Sequence, residues 1–320
     1  MRSLFALFLS VLFAGCHLEK INPDPIDLNQ VPEKVELFAE GTISTHLYER
    51  DIAISPDGNE IIFTLNDYQQ IHRCLVSIRK TKDGWGEKEV LSFSGRYHDI
   101  EPFFSVDGGK LYFASNRPIF GDSTRSDYNI WVSEKEGEGW ADPEALPTNI
   151  NTLSDEFYPS LSKNNNLYFT ATLENGIGTE DIFLSRYSNG DYLDPEPLDT
   201  AINSATYEYN AYVSPDENVL VFGSYGREDD MGGGDLYISR KDEQGNWLPA
   251  RNMGPAINTG SLDFCPFIDY PRGNFYFTSN RHQSGPKHLQ NVGDLEVFAE
   301  GVLNGMGNIY RTGWEQVKFE

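Results

Sequence analysis

One short pattern returns five times along this chain of 320 residues, and a repeat of this period restricts the fold more than any other feature. Its core is an apolar strand, a tight turn such as Ser55-Pro56-Asp57-Gly58, and a second strand that ends in aromatic residues. The equivalent turn positions are Ser55, Ser105, Ser162, Ser214 and Asp269. Their spacings of 50, 57, 52 and 55 residues indicate five copies of one structural unit.

Each copy continues into further strands. A third apolar strand such as Ile130-Trp131-Val132-Ser133 is followed by a glycine-aromatic turn such as Gly139-Trp140, and then by a weak outer strand such as Pro143-Glu144-Ala145-Leu146. Four short strands per repeat, with almost no helical periodicity, predict one propeller blade per repeat. The expected fold is therefore an all-β propeller of five four-stranded blades.

The chain ends predict how the ring closes. Val35-Glu36-Leu37-Phe38 reads as the outer strand of a blade that lacks its first three strands, whereas the fifth repeat has only those three. We therefore expect residues 34–39 to complete the last blade, within a propeller that spans residues 32–320. Residues 316–319 compete for that place, and a degenerate sixth blade in residues 282–306 is the alternative to five blades.

Two repeats carry a family resemblance. The stretch from Ile150-Asn151-Thr152 to Asp155-Glu156-Phe157-Tyr158-Pro159, with Leu167-Tyr168-Phe169 after it, resembles the TolB-like β-propeller repeats of periplasmic proteins and OmpA-family envelope lipoproteins. Phe104-Ser105-Val106-Asp107-Gly108 matches the same repeat. The resemblance covers about residues 32–314 and implies a propeller that serves as an interaction platform in the cell envelope.

The N-terminus predicts export and lipidation. Arg2 precedes an apolar run from Leu4 to Phe13, which is too short to span a bilayer, and Ala14-Gly15-Cys16 follows. This layout predicts a lipoprotein signal peptide over residues 1–15, lipidation of Cys16, and a tether over residues 16–31. The expected location is the outer membrane, facing either the periplasm or the cell surface, with membrane contact through the lipid alone. An ordinary cleaved signal peptide is the alternative.

Charge and cysteine content exclude some functions. The net charge of −24 and the pI near 4.5 would repel nucleic acid, so no nucleic-acid partner is expected. With three cysteines, one of them in the lipidation motif, no disulfide framework is expected, and Cys74 and Cys265 read as buried thiols.

An acid stands six residues before each turn position, and it leads into the innermost strand. These five carboxylates are Glu49, Asp99, Glu156, Glu208 and Asp263. The repeat places them around one mouth of the central channel, where each would either pair with a neighbouring arginine or help to hold a ligand. Arg117, Arg281 and Arg227 are the candidate partners. Together with the five acids, the ligand-binding candidates at the same rim are Arg117, Arg281, His98 and Tyr207.

No sequence motif for an active site is present: there is no nucleophile elbow, zinc cluster or phosphate loop. The expected function is non-catalytic binding of a protein or glycan partner in the envelope. A glycan-active hydrolase or lyase that uses two channel-mouth carboxylates is the alternative. No cofactor is expected, although the acidic loop from Tyr225 to Asp235 offers oxygen ligands for Ca²⁺.

Overall fold

The computed structural model describes residues 26–284 and 288–317, which form five antiparallel sheets arranged as a five-bladed β-propeller. The first, innermost strands are Tyr48–Ile54, Asp99–Phe104, Glu156–Leu161, Tyr207–Val213 and Asp263–Asp269. The second strands are Glu60–Asn66, Lys110–Ser115, Leu167–Ala171, Val219–Tyr225 and Asn274–Ser279. The third strands are Arg73–Thr81, Asn129–Glu136, Asp181–Ser185, Asp235–Arg240 and Asn308–Gly313. The five-bladed prediction is confirmed.

The outer strands are short. They are Glu89–Val90, Glu144–Ala145, Glu196–Pro197 and Arg251–Asn252 in blades 1 to 4, and Glu36–Leu37 in blade 5. Small additional strands form the hairpins that follow the third strands: Gly84–Trp85, Gly139–Trp140, and Tyr187–Ser188 with Asp191–Tyr192. The remaining elements are the helix Val292–Ala299 and a 3-10 turn at Trp314–Gln316.

The N-terminal segment closes the ring, as the sequence predicts. Glu36 and Leu37 pair antiparallel with Arg311 and Tyr310 of the last repeat. The Glu36 carboxylate lies 2.9 Å from the Arg311 guanidinium. Ser44 then exchanges two hydrogen bonds with Ile309. Residues 282–306, the alternative sixth blade, instead hold the helix and one isolated bridge.

Folded structure reaches into the residues assigned to the tether. Ile26 and Leu28 are buried in the core of the first and last blades. The carbonyl of Ile26 accepts a hydrogen bond from Trp85, and that of Leu28 accepts one from Asn274. Apolar side chains at 26 and 28 explain this, because they alternate with polar ones and one face of the segment can be buried. Cys16 lies outside the described residues.

The serine-aspartate turns are held by their own side chains. The Ser55 hydroxyl donates to Asp57 at 2.6 Å and accepts the amide N–H of Glu60 at 2.9 Å. Equivalent bonds join Ser105 to Asp107 and Ser214 to Asp216. This local chemistry fixes the hairpin between the first two strands and explains why the turn returns in the sequence.

Neighbouring blades share their cores. One apolar cluster combines Ile62 and Leu75 of blade 1 with Phe113 and Trp131 of blade 2. A single blade would expose both of its faces, so the ring must be complete before these side chains leave water.

The propeller has two faces. The loop face carries the connections from second to third strands and the segments that enter each first strand; the turn face carries the serine-aspartate turns and the outer hairpins. Among the described residues, no helix is long and apolar enough to cross a membrane.

Candidate functional site

The five repeated carboxylates are fully buried at the loop-face end of their strands. Each one accepts hydrogen bonds from the segment that precedes its own strand. Glu208 accepts the Ser204 amide N–H at 2.7 Å and its hydroxyl at 2.6 Å, and Thr45, Thr152 and Thr259 act in the same way on Glu49, Glu156 and Asp263. Asp99 is bonded by Ser94 and Ser115. None of the five touches solvent in the channel, so ligand binding by them stays a prediction.

Three of these acids are paired with arginine and two are not. Arg117 contacts Asp99 at 2.5 Å, Arg227 contacts Glu208 at 2.8 Å, and Arg281 contacts Asp263 at 2.7 Å. The corresponding positions of blades 1 and 3 hold Asp67 and Leu173. The arginines expected to neutralise the acids therefore do so in blades 2, 4 and 5.

Burial raises the pKa of both acids that lack an arginine partner, Glu156 and Glu49. The pKa of Glu156 rises to about 8, and in both acids burial outweighs the hydrogen bonds from Thr152 and Thr45. Glu156 Oε2 is buried without a hydrogen-bond partner among the described residues. At neutral pH this carboxyl is therefore mainly protonated.

His98 and Tyr207, the other two candidates, lie at the loop face. The His98 ring bridges the Tyr128 hydroxyl and the Ile71 carbonyl, which ties blade 2 to the blade 1 loop. Tyr207 is 41 % exposed and packs near Tyr225. Of the nine residues predicted for ligand binding, Tyr207 is the one whose side chain is free to meet a partner.

A second set of residues, which the sequence analysis missed, fills the propeller axis. Each first strand has an irregularity in its register two residues after the acid, and each residue there has a positive φ between 50° and 61°. These axial residues are Asp51, Glu101, Tyr158, Asn210 and Cys265. All five are buried, so the strained backbone turns one side chain per blade toward the centre.

The axial residues contact one another across the ring. Arg50 lies 2.7 Å from both Asp51 and Glu101, and Asn210 donates to Glu101 at 3.1 Å. The Tyr158 amide N–H donates to the other oxygen of Glu101 at 2.7 Å. Burial and the neighbouring Asp51 raise the pKa of Glu101 to about 7 despite Arg50. Residues from all five blades meet here, because Cys265 contacts both Arg50 and Asn210.

Aromatic side chains occupy the axis nearer the turn face. Tyr212 of blade 4 lies with its ring centroid 6.1 Å from Phe103 of blade 2 and 5.6 Å from Phe267 of blade 5. Since blades 2 and 4 are not neighbours, these contacts cross the centre. The axis is thus packed with side chains rather than left as an open channel. The axial position holds a different residue type in each blade, so comparison of the repeats does not reveal it. The one signal in the sequence is Arg50, a charged residue within an innermost strand.

Three carboxylates of the acidic loop accept hydrogen bonds from the loop and its neighbouring strands. Asp230 accepts a hydrogen bond from the Gly226 amide N–H, and Asp229 accepts one from the Tyr237 hydroxyl. Asp235 accepts hydrogen bonds from the Met231 amide N–H and the Asn252 side chain. Within residues 26–284 and 288–317, no group of three His, Cys, Asp or Glu side chains is arranged to hold a metal ion.

Exposed apolar side chains gather on the loop face. Of nineteen large apolar residues exposed in the described part of the chain, the loop face holds twelve: Tyr68, Ile71, Phe120, Leu153, Ile177, Tyr207, Tyr225, Met231, Leu289, Val292, Leu295 and Val297. Leu153 is 86 % exposed. Beside it, a cleft of about 530 Å³ is lined by Phe120, Leu173, Arg125 and Glu174.

Comparison with known proteins shows likeness in fold alone. The chain is similar in structure to a TolB from Agrobacterium tumefaciens (15 % identity, TM-score 0.47, 72 % of this chain and 69 % of that one). It is also similar to TolB from Acinetobacter baumannii (12 % identity, TM-score 0.46, 73 % of this chain and 49 % of that one). A third similar structure is a puromycin-hydrolysing peptidase of Mycobacterium tuberculosis (13 % identity, TM-score 0.41, 82 % of this chain and 42 % of that one). The chain thus spans about half the length of the second and less of the third. No family model and no curated protein matches the sequence.

Proposed function

We propose that this propeller is a non-catalytic binding platform of the cell envelope, anchored through a lipid on Cys16, whose loop face engages a protein partner. The observation that carries the proposal is the gathering of exposed apolar side chains on that face. Exposed apolar side chains concentrated on one face of a protein are typical of sites that another molecule covers.

The cleft beside Leu153 supports a protein as the occupant. It offers an apolar wall from Phe120 and Leu173 with one charge of each sign, Arg125 and Glu174, at its edge. An apolar side chain that inserts here would be surrounded by polar contacts, which is the anatomy of a protein interface. The net charge of −24 would favour a partner with basic groups around such an anchor.

The interior supports binding over catalysis. A glycosidase needs two accessible carboxyl groups in different environments, one as acid and one as base or nucleophile. The five repeated carboxylates are buried and already accept hydrogen bonds, and the axis beneath them is filled. A hydrolase or lyase that uses these acids would need them to leave those contacts.

The anchor and the location rest on the sequence. An apolar run followed by Ala14-Gly15-Cys16 is the basis for lipidation, and the outer membrane is the proposed location. Replacement of Cys16 by serine should release the protein from membranes in a fractionation experiment. Membrane retention of the Cys16→Ser variant would contradict the anchor.

Photocrosslinking in intact envelopes tests the partner. A photoreactive amino acid at position 153 should give one discrete protein adduct, and the same group at position 248, on the turn face and 47 % exposed as Leu248, should not. The adduct should disappear when Phe120→Asp is added. Equal adducts from both positions, or release of reducing sugar from envelope polysaccharide by the purified protein, would overturn the proposal.

A further inference from the structure

A cleft of about 520 Å³ opens on the turn face between blades 2 and 3. Tyr112 of blade 2 and the outer hairpin of blade 3, with Tyr187 and Tyr192, form its aromatic walls. Lys110 and Lys163 line it as well. The volume lies within the range of small-molecule sites.

The two gaps on either side are filled by a different set of residues. Between blades 1 and 2, Lys135 stacks on the hairpin residue Trp140, and both contact the Glu60 carboxylate. Between blades 3 and 4, Lys241 stacks on Trp247 of its own blade and lies 3.8 Å from Glu217, which accepts hydrogen bonds from Asn166 and Tyr168 of blade 3. In each case a lysine, a tryptophan and a glutamate close the space between neighbouring blades.

In the gap between blades 2 and 3, other residues stand in place of this lysine, tryptophan and glutamate. Counting from the serine of the third strand, Tyr187 stands where Lys135 does, and Tyr192 where Trp140 does. On the facing blade, Lys110 stands at the place of Glu60 and Tyr112 at the place of Ile62. The smaller Tyr192 ring and the loss of the lysine-glutamate pair account for the open cleft.

The walls of the cleft are held in place. The Tyr187 amide N–H donates to Asn166 at 2.9 Å, and the Tyr192 carbonyl accepts from Asn149 at 2.8 Å. The Tyr187 and Tyr192 rings pack edge to face at 5.1 Å. A site held in this way loses little freedom when it binds, because its hairpin is already ordered.

We propose that this cleft binds a saccharide, with a sugar ring against the tyrosines and its hydroxyl groups bound by the polar rim. Tyr187 is 37 % exposed, so its ring offers an apolar surface to the C–H face of a pyranose. Lys163 has no ion pair among the described residues and can donate hydrogen bonds, and Asp191 and Asn165 supply acceptors.

The chemistry of the rim favours a sugar over other small ligands. Besides the tyrosines, the lining holds two lysines and two aspartates, Lys110 and Lys163 with Asp107 and Asp191, and Lys110 also pairs with Glu134 at 3.1 Å. A rim of near-zero net charge selects no strongly charged ligand, whereas a polyhydroxylated ring uses both donors and acceptors. The site lies on the opposite face from the proposed partner surface, so the two proposals stand or fall separately.

Titration of the purified propeller with trisaccharides tests the site. The probes are maltotriose, cellotriose, chitotriose, mannotriose and xylotriose, and ligand-observed NMR at millimolar concentration detects their binding. Extended tripeptides are tested in the same way as a second set of probes. At least one trisaccharide should bind, and Tyr187→Ala should weaken it at least tenfold. Tyr225→Ala removes a tyrosine of the loop face that is 51 % exposed, and it should leave binding unchanged.

Tyr192→Trp supplies a variant that keeps the fold. It restores the hairpin tryptophan of the neighbouring gaps, so it should fill the cleft and abolish binding while the melting temperature stays the same or rises. Binding that survives both Tyr187→Ala and Tyr192→Trp would overturn the proposal. So would the absence of binding by every trisaccharide, or binding of the tripeptides alone.

Discussion

Two glutamates at the same position of the repeat should respond in opposite ways to the same substitution. Glu208 is paired with Arg227 at 2.8 Å, whereas Glu156 has no arginine and its pKa is raised to about 8 by burial. Glu208→Gln removes the negative charge of a buried ion pair, so the Arg227 guanidinium loses its carboxylate partner. Loss of one partner of such a pair costs about 3 kcal/mol, or roughly 5 °C in melting temperature for a domain of this size.

Glu156→Gln should instead be nearly neutral at pH 5, where most of the destabilising effect of the raised pKa has not yet developed. A protonated carboxyl and an amide have the same size, and the amide oxygen can still accept both hydrogen bonds from Thr152. The amide nitrogen takes the place of Oε2, which has no partner to lose in the described structure. We expect a change in the free energy of unfolding of less than about 1 kcal/mol.

The pH dependence gives the sharper test. Because the pKa of Glu156 is higher in the folded than in the unfolded protein, the wild type should lose stability as the pH rises from about 4.5 to 8. The loss from this group is at most about 4 kcal/mol at pH 8. Glu156→Gln removes it, so the variant should match the wild type at pH 5 and exceed it at pH 8.5.

Urea unfolding of both variants and the wild type at pH 5, 6 and 8.5 measures these effects. Glu101 and Glu180, whose pKa values are also raised to about 7, contribute the same trend to all three proteins and cancel in the comparison. The reasoning is refuted if Glu156→Gln destabilises at pH 5 as much as Glu208→Gln, or if its advantage does not grow with pH.

Three further predictions concern ring closure and the axis. Thr278→Val should cost about 1 kcal/mol in urea unfolding, because the Asp51 amide N–H loses its acceptor across the seam between blades 5 and 1. Arg311→Gln should raise hydrogen exchange in residues 26–37 more than in blade 3, since Arg311 holds Glu36 and the carbonyl of Asp27; uniform exchange would contradict this. Cys265 should resist alkylation in the native protein and react after denaturation, because it is fully buried and its thiol pKa is raised.

The blade count and the closing strand were predictable because they depend on local chemistry that is repeated. The Ser55 and Asp57 side chains fix their turn through bonds within a few residues, so the same pair of residues returns in blades 2 and 4. The outer strand at Glu36–Leu37 was found because one repeat lacked it. Burial of Ile26 was not predicted, since two apolar residues among prolines give no strong period.

The axial residues could not be predicted by comparing repeats. Asp51 and Cys265 occupy equivalent places, yet they share no chemistry, because each axial side chain is fitted to the residues across the ring. A ring of acids at the channel mouth was expected from the repeat, either paired with arginines or available to a ligand. Contacts such as those from Ser204 to Glu208 turn each carboxylate into its own blade. The cleft between blades 2 and 3 likewise arises from a departure from the repeat at Tyr192.

Thiol accessibility in native membranes tests the binding-platform proposal most directly. Cysteine is placed at Leu153 on the loop face and at Leu248 on the turn face, and each variant is labelled with a maleimide in intact envelopes and after purification. The wild type measures the background labelling of Cys74. The proposal predicts that position 153 is protected in envelopes and reactive once purified, whereas position 248 reacts in both. Equal labelling of position 153 in the two states would contradict it.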